Sequence, residues 1–117
     1  MAPKEVVEAY YRDMFEPIGI KPHLHPECKV YWNNSAGFKE LTADGLISMI
    51  AHLKARFLTS RLELTHIIAE GQQVAVRYAH NITAPDTLEE ITFAYSMAIW
   101  EIQDDKMYRG YIVSHLE

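Results

Sequence analysis

After Ser60 the hydrophobic period of this chain drops to two and stays there almost to the C-terminus. Leu62, Leu64, His66 and Ile68 alternate with Glu63, Thr65, Ile67 and Ala69. Beyond the turn Glu70-Gly71-Gln72, a second alternating run carries Val74, Val76, Tyr78, His80 and Ile82. Ala84-Pro85-Asp86 interrupts the pattern, Glu89–Ile102 reads as a long strand apolar on both faces, and Asp104-Asp105 turns the chain into a last strand, Lys106–Leu116. Successive side chains of a strand point to opposite faces, so the period of two predicts strands, and the short connections predict an antiparallel meander. By parity, one face of that sheet gathers Leu64, His66, Val76, Tyr78 and His80.

The first half of the chain has the other period. Val6, Val7, Tyr10, Tyr11 and Met14 recur at three- and four-residue spacing behind Pro3, which suits the first turn of a helix; Pro17 closes the segment. Pro17–Pro26 reads as a turn-rich connector with one short helical turn, Cys28–Asn33 as a short strand and Asn34-Ser35-Ala36-Gly37 as a turn. A second helix runs from Ala43 to Phe57, with Thr42 as N-cap and Leu46, Ile50, Leu53 and Phe57 along one stripe. Helices first and a meander after them predict an α+β domain rather than a βαβ sheet. A long twisted sheet with one helix-covered face curls, which opens a pocket at its mouth.

The 117 residues form a single domain, 1–117, and an apolar fraction of 49% suffices for a continuous core. The net charge of −5, with 11 basic residues scattered from Lys4 to Arg109, offers no cationic stripe for nucleic acid or for an anionic membrane. No apolar run approaches the roughly 20 residues needed to span a bilayer. The lone Cys28 suits a reducing compartment, so a cytoplasmic location is expected.

Three strings, His25-Pro26-Glu27-Cys28-Lys29-Val30, the run Ile68–Arg77 and Ile102-Gln103-Asp104-Asp105-Lys106-Met107, together with the order of elements, resemble the SnoaL-like branch of the nuclear transport factor 2-like superfamily. The resemblance implies a cone-shaped α+β barrel, with N-terminal helices packed in the concave face of a strongly curved antiparallel sheet. It also implies a ligand pocket and a homodimer formed through the outer sheet face. Such relatives include polyketide cyclases, ketosteroid isomerases, dehydratases and epoxide hydrolases, and also non-catalytic binding proteins. Where isomerase-like members carry a carboxylate after the first strand, this chain has Asn33 and Asn34. Near the acid of cyclase-like members it has His115, and Asp105 replaces the usual glycine of the last hairpin.

The candidate chemistry is therefore proton transfer by histidine. His66 and His80 fall among apolar residues on adjacent strands, and a neutral imidazole there can take or give a proton; the plain alternative is a hydrogen-bonded core histidine. His115 shares parity with Tyr111 and Val113, and either enters the pocket or lies exposed at the C-terminus. Tyr11 is the first choice for a pocket hydroxyl. Tyr31, Asn33, Tyr78, Tyr95 and Tyr111 are candidate ligand-binding residues, with core packing or turn formation as the alternative for each. His23 and His25 beside Glu27 and Cys28 lack the further ligands a zinc site requires, so no metal is expected. No Gly-rich phosphate loop, nucleophile elbow or cysteine pair is present, so no cofactor is expected.

Three functions fit these residues. One is a cofactor-independent cyclase, isomerase or dehydratase acting on a small hydrophobic carbonyl compound. Another is a non-catalytic dimeric module holding a small apolar ligand. The last is a structural dimerisation domain whose pocket is filled by its own aromatic side chains.

Overall fold

The computed structural model describes residues 1–116. Helix α1 (Pro3–Asp13) is followed by a single 3₁₀ turn (Lys21–His23) and the hairpin β1 (Leu24–Asn34) and β2 (Gly37–Thr42). Helix α2 (Ala43–Arg56) then leads into β3 (Thr59–Glu70), β4 (Gln73–Thr83), β5 (Glu90–Gln103) and β6 (Lys106–Leu116). All six strands belong to one sheet in the order β2-β1-β6-β5-β4-β3.

The α+β class and the meander β3-β4-β5-β6 stand as read from the sequence, but the sheet is mixed rather than wholly antiparallel. β1 lies parallel to β6, pairing Val30 with Gly110 and Trp32 with Ile112. A parallel neighbour so distant in the chain leaves no turn signature, which is why alternation alone missed it. β2 was also missed: most of its residues are exposed, Phe38 included, so it carries no inward apolar set. The sheet does not close on itself, because β2 and β3 are both edges.

Helix α1 buries its whole stripe, Val6, Val7, Tyr10, Tyr11 and Met14, and packs across β3, β4, β5 and β6. Helix α2 packs on β1 and β2. Its Thr42 cap accepts the Gly45 N–H at 3.2 Å, satisfying one orphan donor of the first turn. Leu46 and Ile50 are buried while Leu53 and Met49 are only partly so, and all four line a cavity beneath the helix.

Trp100, with no solvent exposure, is the centre of the core. Its indole Nε1 donates to the Tyr11 hydroxyl at 2.9 Å, and its ring lies 5.2 Å from that of Tyr10. Opposite it on β6 stands Gly110, where a Cβ would come within 2.5 Å of the indole ring. At the β5–β6 turn, Asp104 and Asp105 both have positive φ (55° and 57°), the two-residue geometry that matches strand twist. Aspartate accepts it more readily than most residues, so Asp105 stands in for glycine here.

Two bulges decide which side chains face the helices. On β3, Leu64 pairs with Tyr78 but His66 pairs with Arg77, leaving Thr65 as the extra residue. The Thr65 hydroxyl donates to the Arg77 carbonyl at 3.1 Å and accepts from the Arg77 guanidinium at 3.0 Å. From that point the parity of β3 inverts: Ile67 turns toward the core, while His66 and Ile68 face outward. On β5, His80 pairs with Ala94 and Asn81 with Thr92, so Phe93 is the extra residue. Bulges bend a strand and re-aim side chains, and this one swings Phe93 against His80, ring centroids 5.7 Å apart.

Candidate active-site pocket

Between the two helices and the inner sheet face lies a cavity of about 350 Å³. Its walls are the end of α1 (Tyr10, Met14, Phe15), one face of α2 (Met49, Leu53, Arg56) and inward residues of every strand. The size is that of a small-ligand site, and the cavity is not filled by the protein's own aromatic side chains.

His80 is the one histidine in this wall among the described residues, 6% exposed. Phe15 stacks on its ring at 5.1 Å, and the edges of Phe57 and Phe93 close two further sides. Burial among these rings penalises the imidazolium and lowers the His80 pKa to about 4. Its Nε2 is buried and has no hydrogen-bond partner among the described residues. A buried polar atom left unpaired in a native structure is uncommon and costly. Other atoms of the same side chain line the cavity, so a turn of the ring would bring Nε2 to a ligand there.

A row of polar groups crosses the wall. Trp32 Nε1 donates to Ser114 Oγ at 2.9 Å, and Ser114 Oγ lies 2.9 Å from Ser96 Oγ. Tyr78 comes next: its phenol pKa is raised by burial, partly offset by hydrogen bonding with Ser96 and Tyr11. Trp32, Ser96, Ser114 and Tyr78 all line the cavity. Sequence reading passed over Trp32, Ser96 and Ser114, although Ser96 interrupts an otherwise apolar run and Ser114 has the parity of Gly110 and Ile112.

The other expected site residues are distributed differently. Tyr11 is buried behind the wall with its hydroxyl committed to Trp100, its ring 4.7 Å from that of Tyr78. Burial and the neighbouring Tyr78 and Tyr10 raise its pKa well above the ordinary phenol value. His66, Tyr31, Asn33 and Tyr111 come together, but on the outer sheet face, around a shallow groove of about 570 Å³. Tyr31 and Tyr111 stack there at 5.5 Å, and the Tyr111 hydroxyl donates to Glu101 at 3.2 Å. Tyr95 faces the same way, its ring 5.0 Å beneath the Arg77 guanidinium, and pairs across strands with the exposed His115. Asn34, not Asn33, reaches the inner cavity. On β6 both parities were open in the sequence; Gly110 decides, since only glycine fits against Trp100, and it sends Ile112 and Ser114 inward and Tyr111 and His115 outward.

The paired histidines near the first strand are engaged with aspartates. His23 Nε2 lies 2.7 Å from Asp13 and His25 Nε2 3.3 Å from Asp104. Among the described residues no three His, Cys, Asp or Glu side chains converge as metal ligands, and no helix is long and apolar enough to cross a membrane. Burial pushes the Cys28 thiol up to about 11, so it is a poor nucleophile.

Residues 7–110 match the SnoaL-like domain family. The chain belongs to that family. Among solved structures, the SnoaL-like fold seen here is similar to that of IdmH from Streptomyces antibioticus, named as a candidate polyketide cyclase (14% identity, TM-score 0.84, covering 97% of this chain and 92% of that one). It is also similar to TerC co-crystallized with polyporic acid (22% identity, TM-score 0.71, 95% and 90% covered). A third likeness is to a Catenulispora acidiphila protein with a ketosteroid isomerase-like fold, in complex with trimethylamine (10% identity, TM-score 0.74, 92% and 83% covered). At these identities the likeness is one of fold. A search of curated proteins found no match.

Proposed function

We propose that this SnoaL-like protein is a cofactor-independent enzyme of the cyclase, isomerase or dehydratase kind, acting by proton transfer on a small hydrophobic carbonyl compound held in the inner cavity. The observation that carries this reading is His80, a neutral imidazole in an aromatic box whose Nε2 has no protein partner. With the ring turned so that Nε2 meets the cavity, and in the Nδ1–H tautomer, Nε2 offers a lone pair to a proton on the carbon beside a carbonyl. The proton moves to Nε2, the C–H electron pair moves into the enolate, and the enolate oxygen is met by a hydroxyl of the Ser96–Ser114 row, which Trp32 orients. His80 then returns the proton at another carbon or to a leaving oxygen. An imidazole with a pKa near 4 is a weak base in the empty cavity, but negative charge developing beside it favours the imidazolium and strengthens it as the reaction proceeds. The relatives named as cyclases and isomerase-like proteins support the same reaction class.

The test is α-proton exchange of an apolar ketone, 2-tetralone, in D₂O, followed by NMR. The wild-type protein accelerates exchange, and His80→Gln loses about 100-fold of that acceleration, the usual scale of one general base. If His80→Gln retained the wild-type rate, the assignment would be wrong.

A non-catalytic binding module is the second reading. The absence of any carboxylate among the described residues lining the cavity favours it. Its mark would be an apolar ketone that binds, fails to exchange and is recovered unchanged.

We also propose that the protein is a homodimer through the outer sheet face, located in the cytoplasm. Ile68, Met97 and Val113 are each at least 60% exposed on that face, with Ile99 and Tyr111 beside them, a continuous apolar surface larger than scattered exposed residues produce. Arg77 and Glu101 add opposite charges at its margins. Sedimentation at micromolar concentration is expected to give a dimer mass for the wild type and a monomer mass for Met97→Asp/Val113→Lys. A wild-type monomer contradicts this assembly.

A further inference from the structure

The cavity contains a charge asymmetry that the proton-transfer reading does not use. The chain has 16 acidic and 11 basic residues, yet among the described residues no aspartate or glutamate lines the cavity, while Lys39 and Arg56 both do. Neither cation takes part in an ion pair with a described residue. The topology explains the segregation. Lys39 lies opposite Trp32 on the inner side of the β1–β2 hairpin, while its neighbour Glu40 lies opposite Tyr31 on the outer side and pairs with Lys29 at 4.0 Å. Arg56, the last residue of α2, is held over aromatic rings, its guanidinium carbon 5.2 Å from the Phe57 centroid and 5.5 Å from that of Phe93. These are two of the rings that box His80.

Two cations at the exposed rim with no ion-pair partner among the described residues, over a cavity lined by no described carboxylate, form a one-sided field in a protein whose net charge otherwise repels anions. Guanidinium over an aromatic surface keeps a planar fork of donors free for an oxyanion. We infer that the cavity selects amphiphilic monoanions: a flat, apolar, preferably aromatic body inside, and one oxyanion group at the mouth between Arg56 and Lys39. This rests on the inner cavity being the ligand site and adds the chemical class of what enters it. The anion would lie beside the His80 box, so an acidic carbonyl compound is expected to be a better substrate for the proposed proton transfer than a neutral ketone of the same size.

The test uses two fluorescent probes with the same body, 8-anilinonaphthalene-1-sulfonate and its uncharged counterpart N-phenyl-1-naphthylamine, titrated against the full chain. The wild type is expected to bind the sulfonate at least 10-fold more tightly. Arg56→Gln and Lys39→Gln are each expected to weaken sulfonate binding about 10-fold while leaving the neutral probe unchanged, with thermal melting confirming the fold of each variant. Arg77→Gln, which removes the cation of the outer groove, is expected to change neither. Equal affinity for the two probes overturns the inference, as does an anion preference that survives both rim variants or disappears with Arg77→Gln. Binding of the neutral probe without any gain from the sulfonate removes the anion selectivity and leaves the cavity standing. Binding of neither removes the cavity as a ligand site and the proposed function with it.

Discussion

Truncating Trp100 to alanine is expected to lower the unfolding free energy by about 3–5 kcal/mol, the scale of a large aromatic removed from a closed core. The indole has no solvent exposure, packs on Tyr10 and is the donor to the Tyr11 hydroxyl, so its loss leaves a cavity and removes one hydrogen-bond partner of a buried phenol. Gly110 reports on the same contact from the opposite strand. A methyl added there meets three ring carbons of Trp100 at 2.5, 2.7 and 2.9 Å, and sheet backbone on both sides prevents retreat. Gly110→Ala is therefore expected to cost about 1–3 kcal/mol in the wild type and far less in a Trp100→Leu background. Denaturant unfolding of the four proteins measures the coupling. Additive effects would mean that the Trp100 ring does not lie over Gly110.

Acid stability should expose His80. Burial lowers its folded-state pKa from 6.5 to about 4, so between those values the unfolded chain binds a proton that the folded chain refuses. Where the unfolded state binds more protons, stability rises with pH. The contribution of His80 is thus flat above pH 6.5, becomes unfavourable as pH falls from 6.5 to 4, and is flat again below. Its full size is on the order of 3 kcal/mol. His80→Phe removes the titration and keeps the aromatic packing. Relative to wild type, the variant should gain stability steadily as pH falls through that window and show no further relative change above it. Parallel stability curves for the two proteins would show that His80 is solvated and titrates normally.

Much of this architecture is legible in the residues, and the failures are local and physical. The α1 stripe, the Thr42 cap, the four strands of the meander and the inward parity of β4, with Val76, Tyr78 and His80, need only periodicity. His66 could not be placed that way, because one extra residue at Thr65 inverts the parity of everything after it, and nothing in alternation marks a bulge. β6 carried two self-consistent faces. Gly110 distinguishes them, but only once it is known that Trp100 stands opposite. Hence Tyr111 and His115 looked like pocket residues, whereas the unremarkable Ser114 is one. Trp32 reads as strand-forming aromatic bulk until its Nε1 is seen donating to that serine. Asn33 and Asn34 were interchangeable in sequence, and the strand pleat sends one to each face. The parallel β1–β6 pairing sets that pleat, and it is the part of the fold that leaves the least local trace.

His80 lines the inner cavity, whereas His66 borders the outer groove and His115 is exposed on the outer sheet face, so His80 is the histidine positioned to act there as a neutral base. Ring-nitrogen NMR of the six histidines tests it most directly, recorded across pH and again with N-phenyl-1-naphthylamine present. The His80 ring is expected to stay neutral down to about pH 4 and its resonances to move when the probe binds, while those of His66 and His115 do not. A His80 ring that protonates near 6.5, or a probe that perturbs His66 or His115 instead, contradicts it.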